Sequence, residues 1–175
     1  GSNNYFDYKN SGQVDGVAAF NSTGSILKPF LYALMIDEGK LVPQTKIEDI
    51  PRSYNGYSPY NMNMQFSGMV SAKDALISSL NSPAVMLLKE YGYENFYTFL
   101  KDAGMSSLFR TPDGYGLSLI LGGAEGSLID IAGMYAGLGN YGKFKKLTYL
   151  ENGDKKPESK QLISQGASWM NLESH

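Results

Sequence analysis

The sequence predicts a mostly helical domain with a few short strands, and three observations support this prediction. Several apolar segments repeat with the helical period, and serine or glycine residues stand at their ends where helix caps are expected. Alternating patterns typical of strands are short and few. The chain has 175 residues, 42% of them hydrophobic, which is enough for one core. We therefore expect residues 1–175 to form one domain or a large piece of one.

The first elements surround a short serine turn. The alternating stretch Gln13–Ala18 predicts an edge strand or an extended lead into that turn. A helix should then run from about Ser25 to Glu38, with Gly39 as the residue that ends it. Apolar residues cover nearly every side of this helix, so we expect it to be buried.

Residues 40–70 read as a long irregular segment, because three prolines and an Asn-Gly pair interrupt them. Aromatic residues within the segment argue against disorder. They are Tyr54, Tyr57, Tyr60 and Phe66. The pattern leaves open whether these rings pack the loop against the core or line a groove.

Two further helices should meet at a tight junction. A capping box opens a predicted helix over residues 71–80. Pro83 disfavours a helical conformation for the residue before it, so we expect a new helix over residues 83–91. Ser79 and Asn81 lie at this junction, where two residues separated by one position can project to the same side.

The rest of the chain predicts more helix than strand. We expect a helix over residues 94–103, simple turns in the glycine-rich residues 105–126, a serine-capped helix over residues 128–138, a strand over residues 144–150 and a last helix over residues 158–172. No Gly-Lys-Ser or Gly-Lys-Thr follows the glycines, which argues against a phosphate-binding loop.

The composition excludes several classes of function. The net charge of −2 offers no basic stripe for nucleic acid. The absence of cysteine rules out disulfides and thiolate metal sites, and the single histidine, His175, is the last residue and a poor candidate ligand. No apolar run reaches 18 residues, so we expect no membrane-spanning segment in this chain.

Residues 23–29, Thr-Gly-Ser-Ile-Leu-Lys-Pro, are the strongest candidate for a catalytic motif. Pro29 is tolerated only near a helix start, which places Ser25 at the helix N-terminus and Lys28 one turn later. A serine hydroxyl needs an adjacent base to act as a nucleophile. Lys28 can be that base, because burial among apolar neighbours favours the neutral amine.

The spacing alone carries little information. With 19 Ser and 13 Lys in 175 residues, about one Ser-x-x-Lys pair is expected by chance. Purely structural roles are also available: Ser25 as a helix cap, Lys28 as a charge that reaches the surface, Ser79 and Asn81 as caps of the junction. What favours chemistry is the context of a preceding glycine, a following proline and an apolar helix start.

The two motifs together resemble those of the penicillin-binding transpeptidases. These enzymes, like serine β-lactamases, carry Ser-x-x-Lys at a buried helix start, Ser-x-Asn at a helix junction and Lys-Thr-Gly on a strand. Residues 24–30 and 75–85 are similar to the first two motifs of class A penicillin-binding proteins, most of all those of the 1C type. Residues 115–125 are similar to the segment that these proteins carry before a long helix.

The resemblance implies the α-rich part of an α+β fold of the penicillin-binding and serine β-lactamase type. It implies that Ser25 is the acylated nucleophile, with its N–H in the oxyanion hole, and that Lys28 takes the serine proton. Ser79 would relay protons to the leaving amine, and Asn81 would hold Lys28 and the substrate amide. The implied substrates are D-Ala-D-Ala stem peptides of peptidoglycan, with β-lactams as mimics, and no cofactor or metal is required.

One motif of the family is absent from the sequence. Neither Lys-Thr-Gly nor Lys-Ser-Gly occurs among the 175 residues. We expect a transpeptidase domain truncated before that motif, lacking the C-terminal strands of its sheet and inactive by itself. The resemblance further implies an extracytoplasmic location and a membrane-anchored full-length protein. The alternatives are a non-catalytic module that binds peptidoglycan or a partner protein, and a D,D-carboxypeptidase or β-lactamase that uses the same serine.

Overall fold

Helix α1 (Lys28–Asp37) lies at the centre of the computed structural model, which describes residues 6, 9, 14–54, 56–145 and 158–173. Every residue from Lys28 to Ile36 is buried, as the all-round apolar pattern predicts. Helix α7 (Gln165–Glu173) packs along α1. A helix that is apolar on every side must be covered by other elements, so α1 organises the rest of the fold.

Helices outnumber strands in the described residues. The other helices are α2 (Ala72–Ile77), α3 (Asn81–Tyr91), α4 (Tyr93–Asp102), α5 (Pro112–Tyr115), a 3-10 helix (Gly116–Leu121) and α6 (Leu128–Gly139). The strands are β1 (Asn21–Ser22), β2 (Lys46–Asp49), β3 (Gly68–Ser71), β4 (Glu125–Gly126), β5 (Lys143–Lys145) and β6 (Ser159–Gln161). Within the described ranges they form three separate antiparallel pairs, β1–β4, β2–β3 and β5–β6. The predicted helix-rich character is confirmed.

An aromatic cluster joins α1 to its neighbours. The ring centroid of Phe30 lies 5.0 Å from that of Tyr135 and 6.2 Å from that of Phe99, and Phe99 lies 5.5 Å from Phe144. Close packing of α6 against β5 requires Gly137, because a Cβ there would lie 2.5 Å from the Phe144 ring. The core therefore spans α1, α4, α6 and β5.

Helix α1 begins at Lys28, three residues later than the sequence predicts. The residues before it form tighter turns: the Ile26 N–H donates to the Thr23 carbonyl at 3.2 Å, and the Lys28 N–H donates to the Ser25 carbonyl at 3.1 Å. Such three-residue turns are common at helix N-termini. The positions of Pro29 in the first turn and of Gly39, with φ +68°, after the last turn are confirmed.

The predicted edge strand over residues 13–18 is wrong for its described part, residues 14–18. The carboxylate of Asp15 accepts hydrogen bonds from the N–H groups of Val17 (3.0 Å) and Ala18 (3.4 Å), and this curls the chain into a turn. An aspartate side chain can replace the strand partner that these N–H groups would otherwise need. Gln13 lies outside the described residues.

The segment 40–70 is less irregular than predicted, because β2 and β3 pair at its two ends, from Lys46 with Ser71 to Asp49 with Gly68. Each strand has only four residues, too few for an alternating pattern to be recognised. The rings of this segment line two clefts. Tyr54 and Tyr57 line one of about 570 Å³, and Tyr60 and Phe66, whose ring centroids lie 6.4 Å apart, line one of about 240 Å³.

The junction between the second and third helices lies earlier in the chain than predicted, because α2 ends before residue 80 and α3 begins before residue 83. Helix α2 ends at Ile77, and α3 already begins at Asn81, so that Pro83 is its third residue. Proline fits the first turn because the N–H groups there have no partner within the helix. Residues 105–126 are likewise not simple turns, since they include α5 and the 3-10 helix.

The last predicted helix, residues 158–172, is wrong in its first part. Residues Ser159–Gln161 form β6 against β5, and α7 begins only at Gln165. The pairing partner lies about 16 residues earlier in the chain, and a local pattern cannot reveal it. The strand predicted over residues 144–150 is confirmed only at its start, because residues 146–157, like His175, lie outside the described residues.

The two helices with the clearest caps begin where the sequence predicts. The Ser127 hydroxyl accepts a hydrogen bond from the Asp130 N–H at the start of α6. The Ser71 hydroxyl does the same for the Asp74 N–H at the start of α2. None of the helices in the described ranges is long and apolar enough to cross a membrane.

Candidate active site

The side chain of Lys28 is the centre of a buried polar cluster. Its residue is 1% exposed. Its Nζ donates to the Ser79 carbonyl at 2.7 Å, to the Ser79 hydroxyl at 3.2 Å and to Asn81 Oδ1 at 2.7 Å. An ammonium group has three N–H donors, and these three acceptors use all of them. The structure thus brings together three of the four residues that the sequence singles out.

Burial changes the protonation of this amine. Removing the charged form from water lowers the pKa of Lys28 from 10.5 to about 8. The groups that receive its hydrogen bonds are neutral oxygens rather than carboxylates. About a tenth of the lysine is therefore neutral at pH 7 and about half at pH 8, and the neutral amine is the form that can accept a proton.

Ser79 owes its position to an unusual backbone conformation. Its φ is +51°, in the left-handed region that non-glycine residues rarely adopt. The Ser79 N–H donates to the Leu76 carbonyl and the Leu80 N–H to the Ala75 carbonyl, both at 2.9 Å, so α2 closes with a left-handed cap. This conformation lets both the carbonyl and the hydroxyl of Ser79 contact Lys28. Glycine normally occupies such a position, so a serine there carries backbone strain, and strained residues of this kind are common at functional sites.

Asn81, the first residue of α3, is held by the loop between β2 and β3. Its Nδ2 donates to the Tyr60 carbonyl at 2.7 Å, and its backbone N–H donates to Asn61 Oδ1 at 2.8 Å. The first bond fixes the amide so that its oxygen, not its nitrogen, is directed at Lys28. Sequence reasoning missed Tyr60 and Asn61, and the repeated Asn-Met around position 61 carries no signal that would have found them.

Ser25 lies in the turn that precedes α1 and is half-buried. Its carbonyl accepts the Lys28 N–H, whereas its hydroxyl and its backbone N–H form no hydrogen bond with the part of the chain that the structure describes. The backbones of Ser25 and Lys28 are thus in contact, but the three N–H donors of the Lys28 ammonium go to Ser79 and Asn81. Among the described residues, the hydroxyl and the N–H of Ser25 are therefore left without a hydrogen-bond partner.

A glycine-rich segment fixes the turn that carries Ser25. The Thr23 N–H donates to the Ala124 carbonyl at 3.0 Å, and the Ser22 hydroxyl donates to the Gly122 carbonyl at 2.8 Å. Gly122 has φ +95°, and a Cβ on it would lie 2.9 Å from the Gly24 backbone nitrogen. Glycine is required there by both conformation and space. From α6, the Tyr135 hydroxyl donates to the carbonyl of the residue that follows Ser25 at 2.8 Å.

A family match decides the classification of this chain. The family described as the penicillin binding protein transpeptidase domain matches residues 15–171. The chain belongs to this family. Penicillin-binding protein 1C of Escherichia coli (strain K12) is 40% identical over 159 residues, which is 91% of this chain and 20% of that protein. Penicillin-binding protein 1F of Bacillus subtilis (strain 168) is 32% identical over 175 residues, 93% of this chain and 24% of that protein.

A solved structure shows the same fold. The apo structure of the TP domain from Burkholderia pseudomallei penicillin-binding protein 3 superimposes with a TM-score of 0.77 at 16% identity, covering 91% of this chain and 54% of that chain. The family resemblance seen in the sequence motifs is therefore confirmed. The chain spans about a fifth to a quarter of the length of the two curated relatives.

Proposed function

We propose that this chain is the part of a D,D-transpeptidase domain that carries its acylating serine, and that it acts on the D-Ala-D-Ala ends of peptidoglycan stem peptides. One observation carries the proposal: a buried lysine, with the pKa of its amine lowered to about 8, comes three residues after a serine whose hydroxyl has no hydrogen-bond partner among the described residues. A desolvated lysine beside a serine is a recognised way to activate a weak nucleophile.

The first step is the acylation of Ser25. Its Oγ attacks the carbonyl carbon between the two D-alanines, and the hydroxyl proton passes to the neutral Nζ of Lys28. The C–O bond forms as the carbonyl π bond opens, so negative charge develops on the carbonyl oxygen. The free N–H of Ser25 supports a role as one of the donors that stabilise this oxyanion.

Breakdown of that intermediate expels the terminal D-alanine. The C–N bond breaks, and its nitrogen needs the proton that Lys28 has received. Ser79 Oγ, 3.2 Å from Lys28 Nζ, is placed to pass that proton to the leaving amine. An acceptor amine then attacks the Ser25 ester, gives up a proton by the same route in reverse, and releases Ser25 with a new peptide bond.

Asn81 has two roles in this proposal. Its Oδ1 holds the lysine amine at 2.7 Å. Of its two Nδ2–H donors one is bonded to the Tyr60 carbonyl, and the other is left for the substrate amide. The same chemistry lets a β-lactam acylate Ser25, because opening of its ring replaces departure of D-alanine.

We further propose that the chain works within a longer, extracytoplasmic protein that is anchored in the membrane. The two curated relatives are four to five times longer than the segment matched here. In that arrangement a Lys-Thr-Gly strand outside these 175 residues would complete the oxyanion hole and bind the substrate carboxylate. We expect the isolated chain to show little or no turnover.

The test is detection of a penicillin adduct by intact mass and peptide mapping, on the intact protein and on this chain side by side. We expect a single adduct on Ser25 of the intact protein, which Ser25→Ala abolishes. Ser164→Ala is the matched control, since Ser164 lies just before α7 and shares no hydrogen bond with the cluster.

Each other result points to an alternative. No adduct on a folded intact protein would overturn the acyl-serine proposal and favour a non-catalytic module that binds peptidoglycan or a partner protein. An adduct that is released rapidly by water instead of by an added amine would favour a D,D-carboxypeptidase or a β-lactamase. An adduct on a residue other than Ser25 would contradict the assignment of the nucleophile.

A further inference from the structure

Asp49, at the end of β2, is a fully buried carboxylate that the proposed chemistry does not use. Its residue is 0% exposed. Oδ1 accepts a hydrogen bond from Asn61 Nδ2, and Oδ2 accepts one from the Ser67 N–H, both at 2.8 Å. Burying a carboxylate is costly unless hydrogen bonds compensate it. A buried carboxylate that orients an amide calls for an explanation beyond stability.

The amide that Asp49 orients caps helix α3. Asn61 Oδ1 accepts the N–H of Asn81 at 2.8 Å and the N–H of Ser82 at 3.4 Å. These are the first two residues of α3, whose own N-cap, Leu80, offers no side-chain hydrogen bond. The third residue is proline and has no N–H to satisfy. Helix α3 is thus capped from a distant loop instead of from its own chain.

Only one orientation of Asn61 satisfies both sets of contacts. With its nitrogen directed at Asp49 and at the Gln65 carbonyl (2.8 Å), its oxygen faces α3. The Asp49 carboxylate and the Gln65 carbonyl both accept and cannot donate, so together they exclude the flipped amide. The chain of contacts continues from Asn61 to Asn81, and from Asn81 Oδ1 to the amine of Lys28.

We infer that Asp49 is a positioning residue for the active site, which through Asn61 fixes Asn81 in the orientation that receives the Lys28 amine. The inference rests on the proposed function in so far as it predicts acylation rates. It also gives the loop between β2 and β3 a role, because that loop carries Asn61 and the Tyr60 carbonyl, which together hold Asn81.

The test compares Asp49→Asn, Asn61→Asp and the exchanged double variant D49N/N61D in the intact protein. In Asp49→Asn, one oxygen can still accept from Ser67, but an NH₂ group then opposes the NH₂ of Asn61. In Asn61→Asp, two carboxylates face each other. In the double variant, the amide now at position 49 can donate to the carboxylate now at position 61, whose other oxygen again accepts from Asn81. The bond to the Gln65 carbonyl is lost, and that carbonyl then faces a carboxylate oxygen, so we expect recovery to be incomplete.

The first readout is acylation by a fluorescent penicillin, resolved into the noncovalent Kd and the first-order acylation rate. We expect each single variant to lower the acylation rate by about tenfold, because small displacements of catalytic groups have such effects, with Kd changed less than about twofold. The double variant should return to within about threefold of wild type. Asp130→Asn is the matched control, since Asp130 accepts two hydrogen bonds from Ser106 outside this network, and it should acylate within about twofold of wild type.

The second readout does not depend on chemistry. Hydrogen exchange of the backbone N–H groups of Asn81 and Ser82 should be about tenfold faster in each single variant and restored in the exchanged double variant. If wild type is acylated and Asp49→Asn is acylated at the same rate, the inference is overturned and the proposed function stands. A folded wild type that forms no adduct would overturn the proposed function, and amide exchange would then decide the inference. A double variant no better than the worse single variant in either readout would also overturn it.

Discussion

Lys28 and Arg110 are two cations of this domain in opposite environments. Lys28 is buried, and the hydrogen bonds that its amine makes with the described part of the chain go to neutral oxygens of Ser79 and Asn81. Arg110 is exposed, donates to Glu125 Oε1 at 2.6 Å and to a backbone carbonyl at 2.7 Å, and lies 4.4 Å from the centroid of the Tyr115 ring. Lys28 thus lies in an apolar helix with no carboxylate bonded to it among the described residues, whereas Arg110 pairs with a carboxylate, a carbonyl and an aromatic ring.

The difference teaches what each environment can achieve. An exposed ion pair adds little to stability and leaves the cation permanently charged, because a guanidinium does not lose its proton in proteins. Burial without a carboxylate partner costs stability and in return lowers the pKa of an amine into the range of a useful base. The environment of Lys28 therefore lowers the stability of the fold but favours a role of the amine as a base.

Lys28→Met is the strongest way to break this comparison. Methionine has similar length and no charge, so the helix can remain buried. We expect acylation of Ser25 by penicillin to fall by about a thousandfold, within the range attributed to general bases. The second-order acylation rate constant measures this effect, and thermal unfolding checks that the variant is folded.

A Lys28→Met protein that acylates within about tenfold of wild type would contradict the role of Lys28 as the base. In that case its burial would have to be explained by structure alone. A variant that fails to unfold cooperatively would shift the test to Lys28→Arg, which keeps the charge and hydrogen bonds but cannot become neutral. Loss of acylation in a folded Lys28→Arg protein would again indicate a base.

The pH dependence of acylation sharpens the comparison, with the second largest effect. In the proposed mechanism the active form of Lys28 is the neutral amine, and burial lowers the pKa of Lys28 to about 8. Below that pH the neutral fraction rises about tenfold for each pH unit, so acylation should rise from pH 6 to pH 8 and level off above. Rates with one penicillin at constant ionic strength measure the profile. A flat profile would show that proton transfer to Lys28 does not limit the reaction.

How much of this architecture the sequence could reveal depended on how local each signal is. Gly39 and Ser127 mark helix ends because the cap and the helix it caps are adjacent in the chain. Strands β2 and β6 were missed because each is short and its partner lies far along the chain. Local propensity gives way to pairing in such cases.

The site shows the same division. Ser25 and Lys28 are three residues apart, and the contact between them that the structure shows is a local one, from the Lys28 N–H to the Ser25 carbonyl. The contribution of Asp49 and Asn61 could not be read from the sequence, because it arises from a loop that folds back 20 residues before Asn81. The start of α1 at Lys28 instead of Ser25 could not be read from the sequence either. The turn before it is held by residues 122–124, about 100 positions later in the chain.

Arg110→Met tests the other side of the comparison and should have the smallest effect. It removes the ion pair with Glu125, the hydrogen bond to the Gly123 carbonyl and the contact with the Tyr115 ring, while the serine turn keeps its separate hydrogen bond to the Ala124 carbonyl. We expect a change in Tm of at most about 3 °C, as for exposed pairs, and acylation within about twofold of wild type. Added salt should shrink even this difference, because it screens the exposed pair in wild type. An acylation defect as large as that of Lys28→Met would mean that the surface cation, and not burial of the amine, sets the reactivity of Ser25.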